Sequence, residues 1–139
     1  MSTTWKYIVL YLILLQFVLG LAVPTSWVYD HRVPYEAFKD DHRVLDLALD
    51  HIERRIRREN LEEYVILLGD SVAYSGPGGP EQSIGCYMEE LSREAGRPIT
   101  VFNLAQPSMQ TGDIYTVLLE LKCRGISTER VVINLLYGG

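Results

Sequence analysis

Ser71 is the residue of this 139-residue chain best placed to do chemistry. It closes the run Tyr64-Val65-Ile66-Leu67-Leu68-Gly69-Asp70-Ser71, in which five apolar residues stop abruptly at three polar turn formers. An apolar run of that length, bounded by turn residues, reads as a buried strand of a parallel sheet. Open α/β sheets bind ligands at the C-terminal ends of their strands. A hydroxyl delivered there, on a tight turn before a helix, is a candidate nucleophile. The same turn offers backbone N–H groups to a developing oxyanion, and Asp70 can hold its shape by bonding within it. Gly, Asp and Ser also follow many strands simply as turn formers, so the motif alone leaves both readings open.

A serine hydroxyl is a weak nucleophile until a base takes its proton. The three histidines, His31, His42 and His51, all precede the Ser71 strand. His42 and His51 are nine positions apart, so a helix turns them to roughly opposite sides. No general base for Ser71 is found among them. Each follows an aspartate, in Asp30-His31, Asp41-His42 and Asp50-His51, but adjacent helical residues do not converge on one ion. The histidines are therefore expected as exposed polar residues near helix ends, with no metal site and no cofactor. Cys86 and Cys123 form no CxxC pair, which leaves out zinc and redox motifs. The loop after Gly69 lacks the lysine and the glycine spacing of a phosphate-cradling P-loop. Net charge is −5. The one basic cluster, Arg54, Arg55, Arg57 and Arg58, sits at the end of a helix and reads as a solvated last turn, so nucleic acid is not an expected partner.

The elements that must position Ser71 follow from periodicity. An amphipathic helix is predicted over about Asp41–Glu59, with Val44, Leu45, Ala48, Leu49, Ile52 and Ile56 as its apolar stripe. The first strand is Tyr64–Leu68. A glycine-proline loop, Ser75–Pro80, leads to a helix over about Pro80–Ala95 whose buried face is expected to be Ile84, Tyr87, Met88, Leu91 and Ala95. Ile99–Asn103 is the second strand and Leu104–Gly112 a polar loop. A helix over about Asp113–Cys123 buries Ile114, Val117, Leu118 and Leu121, and Arg130–Leu136 is the third strand. Strands alternating with helices imply a parallel sheet covered on both faces. The helices after the first two strands would then lie on opposite faces, too far apart for a Cys86–Cys123 disulfide. The third strand is apolar and ends close to Gly139, so the chain reads as the N-terminal portion of a longer protein.

Tyr7–Val23 carries no charge and one strongly polar residue, Gln16. Seventeen helical residues reach about 26 Å, near the lower limit for a bilayer. Trp5, Tyr7, Trp27 and Tyr29 flank the run as interfacial aromatics do. Two readings follow, a signal peptide cleaved near Gly20-Leu21-Ala22 and an uncleaved single-pass anchor. The weak n-region and the length of the run favour the anchor. Lys6 and the amino terminus orient it N-inside, which places the domain on the extracytoplasmic side. The expected organisation is an anchor or signal segment (1–27), a linker with the amphipathic helix (28–60) and a partial α/β domain (61–139).

Val65-Ile66-Leu67-Leu68-Gly69-Asp70-Ser71-Val72 resembles the first block of the SGNH, or GDSL-type, hydrolases. That resemblance implies a three-layer, flavodoxin-like α/β sheet, here apparently truncated after the third strand and preceded by the N-terminal transmembrane helix. It makes Ser71 both the nucleophile and, through its own N–H, part of the oxyanion hole. The second block, an Asn-x-Gly turn after the second strand, is matched by Asn103-Leu104-Ala105. Alanine replaces the glycine, yet a main-chain N–H from Ala105 could still serve the oxyanion hole. Asp70, Asn103 and the 106–112 loop would line the same cleft end as substrate-binding residues. Gly138 could open the third block, Gly-x-Asn-Asp. Neither its asparagine nor the family's Asp-x-x-His lies within the chain. The expected activity is that of a membrane-anchored, extracytoplasmic serine esterase or acyltransferase acting on acyl esters, with a cell-envelope glycan or lipid as partner. The 139-residue piece is expected to be inactive alone. The competing expectation is a non-catalytic envelope protein that keeps the fold to bind a glycan or a protein.

Overall fold

The computed structural model describes residues 3–22, 29, 31–35 and 43–134. Its elements are α1 (Thr3–Ala22), α2 (Arg43–Glu59), β1 (Tyr64–Leu68), α3 (Ser71–Tyr74), a 3-10 turn (Pro80–Gln82), α4 (Ile84–Glu94), β2 (Thr100–Asn103), α5 (Thr111–Cys123) and β3 (Val131–Ile133). The strands form one parallel sheet in the order β2-β1-β3, with β1 central. Ile66 stands opposite Phe102 on one side and Val131 on the other.

Alternation along the strands sorts the core into two layers. Ile66, Leu68 and Phe102 face Tyr29 and Val33, Ala48, Leu49 and Ile52 of α2, and Ile114, Val117 and Leu121 of α5. Leu67 and Val101 face the other way, onto Ala73, Ala105 and the half-buried Val65, Tyr74 and Met88. Helices therefore cover both faces, and the arrangement is α/β. Phe102 is fully buried, its ring centroid 6.4 Å from Tyr29 and 6.0 Å from Tyr64 in an edge-on contact. Cys86 and Cys123 lie on α4 and α5, which pack on opposite faces, and neither is joined in a disulfide.

The structure corrects three expectations. The first concerns the membrane span in the expected fold. Among the described residues no helix is long and apolar enough to cross a membrane. The single-pass anchor, and the extracytoplasmic location inferred from it, are withdrawn on that finding.

The second concerns α4. Of its expected buried face, Ile84, Tyr87 and Leu91 are exposed, Leu91 by 64%, and Met88 alone packs inward. The reason is the edge of the sheet. Outward N–H groups of β2 need acceptors, and α4 supplies them. Glu89 Oε1 accepts from Val101 N–H at 2.8 Å, and Ser92 Oγ accepts from Ile99 N–H at 3.1 Å. Gly85 lets the helix come this close, since a Cβ there would sit 3.3 Å from Val101 Cγ1.

The third concerns the segment read as a linker. Tyr29, Arg32 and Val33 are buried, and Arg32 forms a parallel bridge with Asn103. This single bridge sets Arg32 against the outer edge of β2. Tyr29 completes this edge, its hydroxyl accepting from Asn103 N–H at 2.7 Å. Of the third strand's expected span, residues 135 and 136 lie outside the described residues, as does Gly138, and Val132 and Ile133 are exposed.

Candidate functional site

The site is built around Gly69. Its φ is +149°, and an added Cβ would fall 2.9 Å from both the Cβ and the carbonyl oxygen of Asn134 and 3.0 Å from Ala73 Cβ. Glycine is what lets the end of β3 and the start of α3 meet above β1. β3 stays in register there, with Asn134 N–H donating to Leu68 O at 2.9 Å.

Asp70 caps the one-turn helix α3, accepting from Val72 N–H at 2.9 Å through Oδ1. The same oxygen accepts from Asn134 Nδ2 at 3.0 Å. Asp70 therefore ties the turn after β1 to the end of β3. Ser71 is exposed and is the first residue of α3. An N–H at that position has no acceptor inside its own helix, and Ser71 lines the cavity above the turn. The turn closes with Ser75 in the left-handed conformation, φ 65°, whose N–H donates to Val72 O.

Above this turn lies a cavity of about 340 Å³, lined by Asp70, Ser71, Ser108, Met109, Gln110, Thr111, Ile114 and Asn134. Three loops meet in it, those after β1, β2 and β3. It lies at the C-terminal ends of the parallel strands, the position at which open α/β sheets hold ligands. The β2–α5 loop is shaped by Ser108, at φ 65°, and by a capping box. Gln110 N–H donates to Asp113 Oδ2 at 2.8 Å while the Gln110 side chain accepts from the Asp113 N–H.

Of the residues singled out in the sequence, Ser71 and Asp70 come together in this cavity. Asn103 and Ala105 do not line it. Asn103 is fully buried, donating from Nδ2 to Ala73 O at 2.9 Å and accepting from Ala105 N–H at 3.0 Å. Its role is to lock the turn after β2 onto α3. Ala105 is likewise fully buried, and its N–H, expected as an oxyanion donor, is taken by Asn103. Gln106, also buried, donates its N–H to Gly69 O at 3.1 Å, a second tie between the two turns. Asn134 was not anticipated, although it is the single polar residue in an otherwise apolar run, Val131–Leu136.

No histidine is among the described residues that line the cavity. His51 packs in the other layer, stacked on Tyr29 with centroids 5.6 Å apart. Burial, and then the guanidinium groups of Arg55, Arg54 and Arg58, push its pKa below the ordinary histidine value. Burial holds the Tyr29 hydroxyl far above its usual range, so it stays protonated. His42 lies outside the described residues. Among the described residues no group of histidines, cysteines and carboxylates could hold a metal ion. Compared with family models, curated proteins and solved structures, the chain matches none.

Proposed function

We propose that this end of the sheet is the nucleophile half of an SGNH-type serine hydrolase or acyltransferase site, acting on acyl esters. The observation that carries the reading is Ser71, exposed at the first position of a helix that starts at the C-terminal end of the central parallel strand and opens into the cavity. The Ser71 hydroxyl attacks the acyl carbon, the carbonyl oxygen takes up charge facing the Ser71 N–H, and the alcohol leaves with a proton. Water or a second hydroxyl then takes the acyl group from Ser71. Met109 and Ile114 form the apolar corner of the cavity, sized for a short acyl chain, while Ser108, Gln110, Thr111 and Asn134 present hydroxyls and carboxamides. That lining suits a hydroxyl-rich alcohol such as a glycan. Among the described residues that line the cavity there is no lysine, arginine or histidine to receive an anionic one.

One pair of observations favours a second reading, a binding protein that keeps the fold without turnover. The Ala105 N–H is occupied by Asn103, and no histidine stands among the described residues lining the cavity. The two readings separate on a fluorophosphonate probe. A nucleophilic Ser71 gives an adduct located at Ser71, forming faster at alkaline pH where hydroxide substitutes for a base, and lost in Ser71→Ala. No adduct on Ser71 at any pH leaves the binding reading. Turnover of a short acyl ester by the 139-residue chain at neutral pH is expected to be absent; turnover abolished by Ser71→Ala would show that a base is present after all.

A further inference from the structure

A helix of one turn does not hold itself together. Nucleation fixes several residues for very few hydrogen bonds, and α3 has few to offer: Tyr74 N–H to Asp70 O at 2.9 Å, Ser75 N–H shared between Ser71 O and Val72 O, and Gly76 N–H to Ser71 O at 3.3 Å. Its start is held by Asp70. Its end is held by a residue more than forty positions earlier. The Arg32 guanidinium donates to Tyr74 O at 2.9 Å, Ser75 O at 3.1 Å and Gly78 O at 2.6 Å. It also lies over the Tyr74 ring, 4.2 Å from the centroid.

Arg32 is only 9% exposed. A buried guanidinium forgoes hydration, and these carbonyls replace it. Its backbone is fixed in turn, through the parallel bridge to Asn103 and through Val33 O, which accepts from Gln106 Nε2 at 3.3 Å. Tyr35 N–H donates to the Tyr74 hydroxyl at 3.2 Å, a further tie from the same segment. The edge segment is thus a brace with one foot on β2 and the other on the C-terminal end of α3.

We propose that Arg32 is a positioning residue for Ser71. By fixing the carbonyls that end α3, it sets the direction in which the Ser71 hydroxyl and N–H face the cavity. The effect on Ser71 chemistry rests on the nucleophile reading above; the effect on the turn does not.

Amide hydrogen exchange on the full 139-residue chain tests it, with Ile66 and Phe102 as reporters of the core. In Arg32→Ala the amides of Tyr74, Ser75 and Gly76 should exchange about tenfold faster or more, relative to those reporters, because the turn opens locally. Added methylguanidinium should restore their protection in Arg32→Ala and leave the unsubstituted chain unchanged. Arg32→Lys, a point charge in place of a planar fork, should give a smaller acceleration, and it decides the same ratio should the alanine variant not fold. Turn amides that keep their original rate, or that accelerate only in step with Ile66 and Phe102, overturn the proposal. Fluorophosphonate labelling of Ser71 should slow with the local opening and recover with methylguanidinium. A chain whose Ser71 never labels counts against the nucleophile reading, and the exchange ratio still decides the role of Arg32.

Discussion

Replacing Gly69 by alanine should be among the most damaging small changes in this chain, for two separable reasons. Its φ of +149° is one that L residues rarely adopt, and such strain costs about 1–3 kcal/mol. The new methyl carbon would lie 2.9 Å from Asn134 Cβ and O and 3.0 Å from Ala73 Cβ. These neighbours cannot step aside cheaply. Asn134 is held to β1 by its N–H bond to Leu68 O, and Ala73 is 1% exposed on the inner side of α3. Overpacking of that kind costs about another 1–3 kcal/mol, giving about 2–6 kcal/mol in all. Small domains have about 5–15 kcal/mol to lose, so the upper half of that range approaches the stability of the whole domain. Urea unfolding followed by circular dichroism should show the midpoint falling at constant slope. Two other glycines separate the causes. Gly96 has φ +72° with no atom within 4 Å of an added Cβ, so Gly96→Ala should cost only the conformational part, about 1–2 kcal/mol. Gly112 sits in α5 with an ordinary φ and open space, so Gly112→Ala should stabilise by about 0.5–1 kcal/mol. If Gly69→Ala proves no worse than Gly96→Ala, the close approach of Asn134 and Ala73 is not what glycine serves, and the account of how the three loops meet is wrong.

Asn103→Ala should cost about 1–3 kcal/mol in the same assay, because it leaves the Ala105 N–H without its partner and Ala73 O with only the 3.5 Å bond from Ser75 Oγ; a change under about 0.5 kcal/mol would show that water or a shift replaces the lost bonds. Stability should fall with acid through His51. Its folded pKa is lowered, so below the unfolded value of about 6.5 the unfolded chain binds a proton that the folded one refuses. The contribution is complete above that value and lost as pH drops toward the folded pKa; His51→Phe, which keeps a ring on Tyr29, should flatten the slope there, and an unchanged slope would assign it elsewhere. Thiol titration of the denatured chain should find both Cys86 and Cys123 reactive, and a count below two would contradict their placement on opposite faces of the sheet.

The sequence by itself located most elements, because hydrophobic period is a local property. Tyr64–Leu68 is an apolar run cut off by turn formers, and it is β1 residue for residue. The stripe of α2 and the face of α5 follow the 3.6-residue period and are buried as the spacing requires. Ser71 was legible for the same reason, since a polar turn directly after a buried strand is a local pattern. What the tertiary structure decided was which polar groups meet. The face of α4 follows the unpaired N–H groups of β2, so Glu89 and Ser92 outrank Tyr87 and Leu91 in orienting it. Asn103 and Ala105 satisfy each other in the interior, although the resemblance to the second SGNH block implied that both line the cleft. Arg32 reaches carbonyls forty-two and more positions away, and Asn134 meets Asp70 sixty-four positions away. Contacts of that range leave no period in the sequence. They exist because a parallel sheet brings the ends of distant strands side by side and because buried donors must find acceptors wherever the chain has placed them.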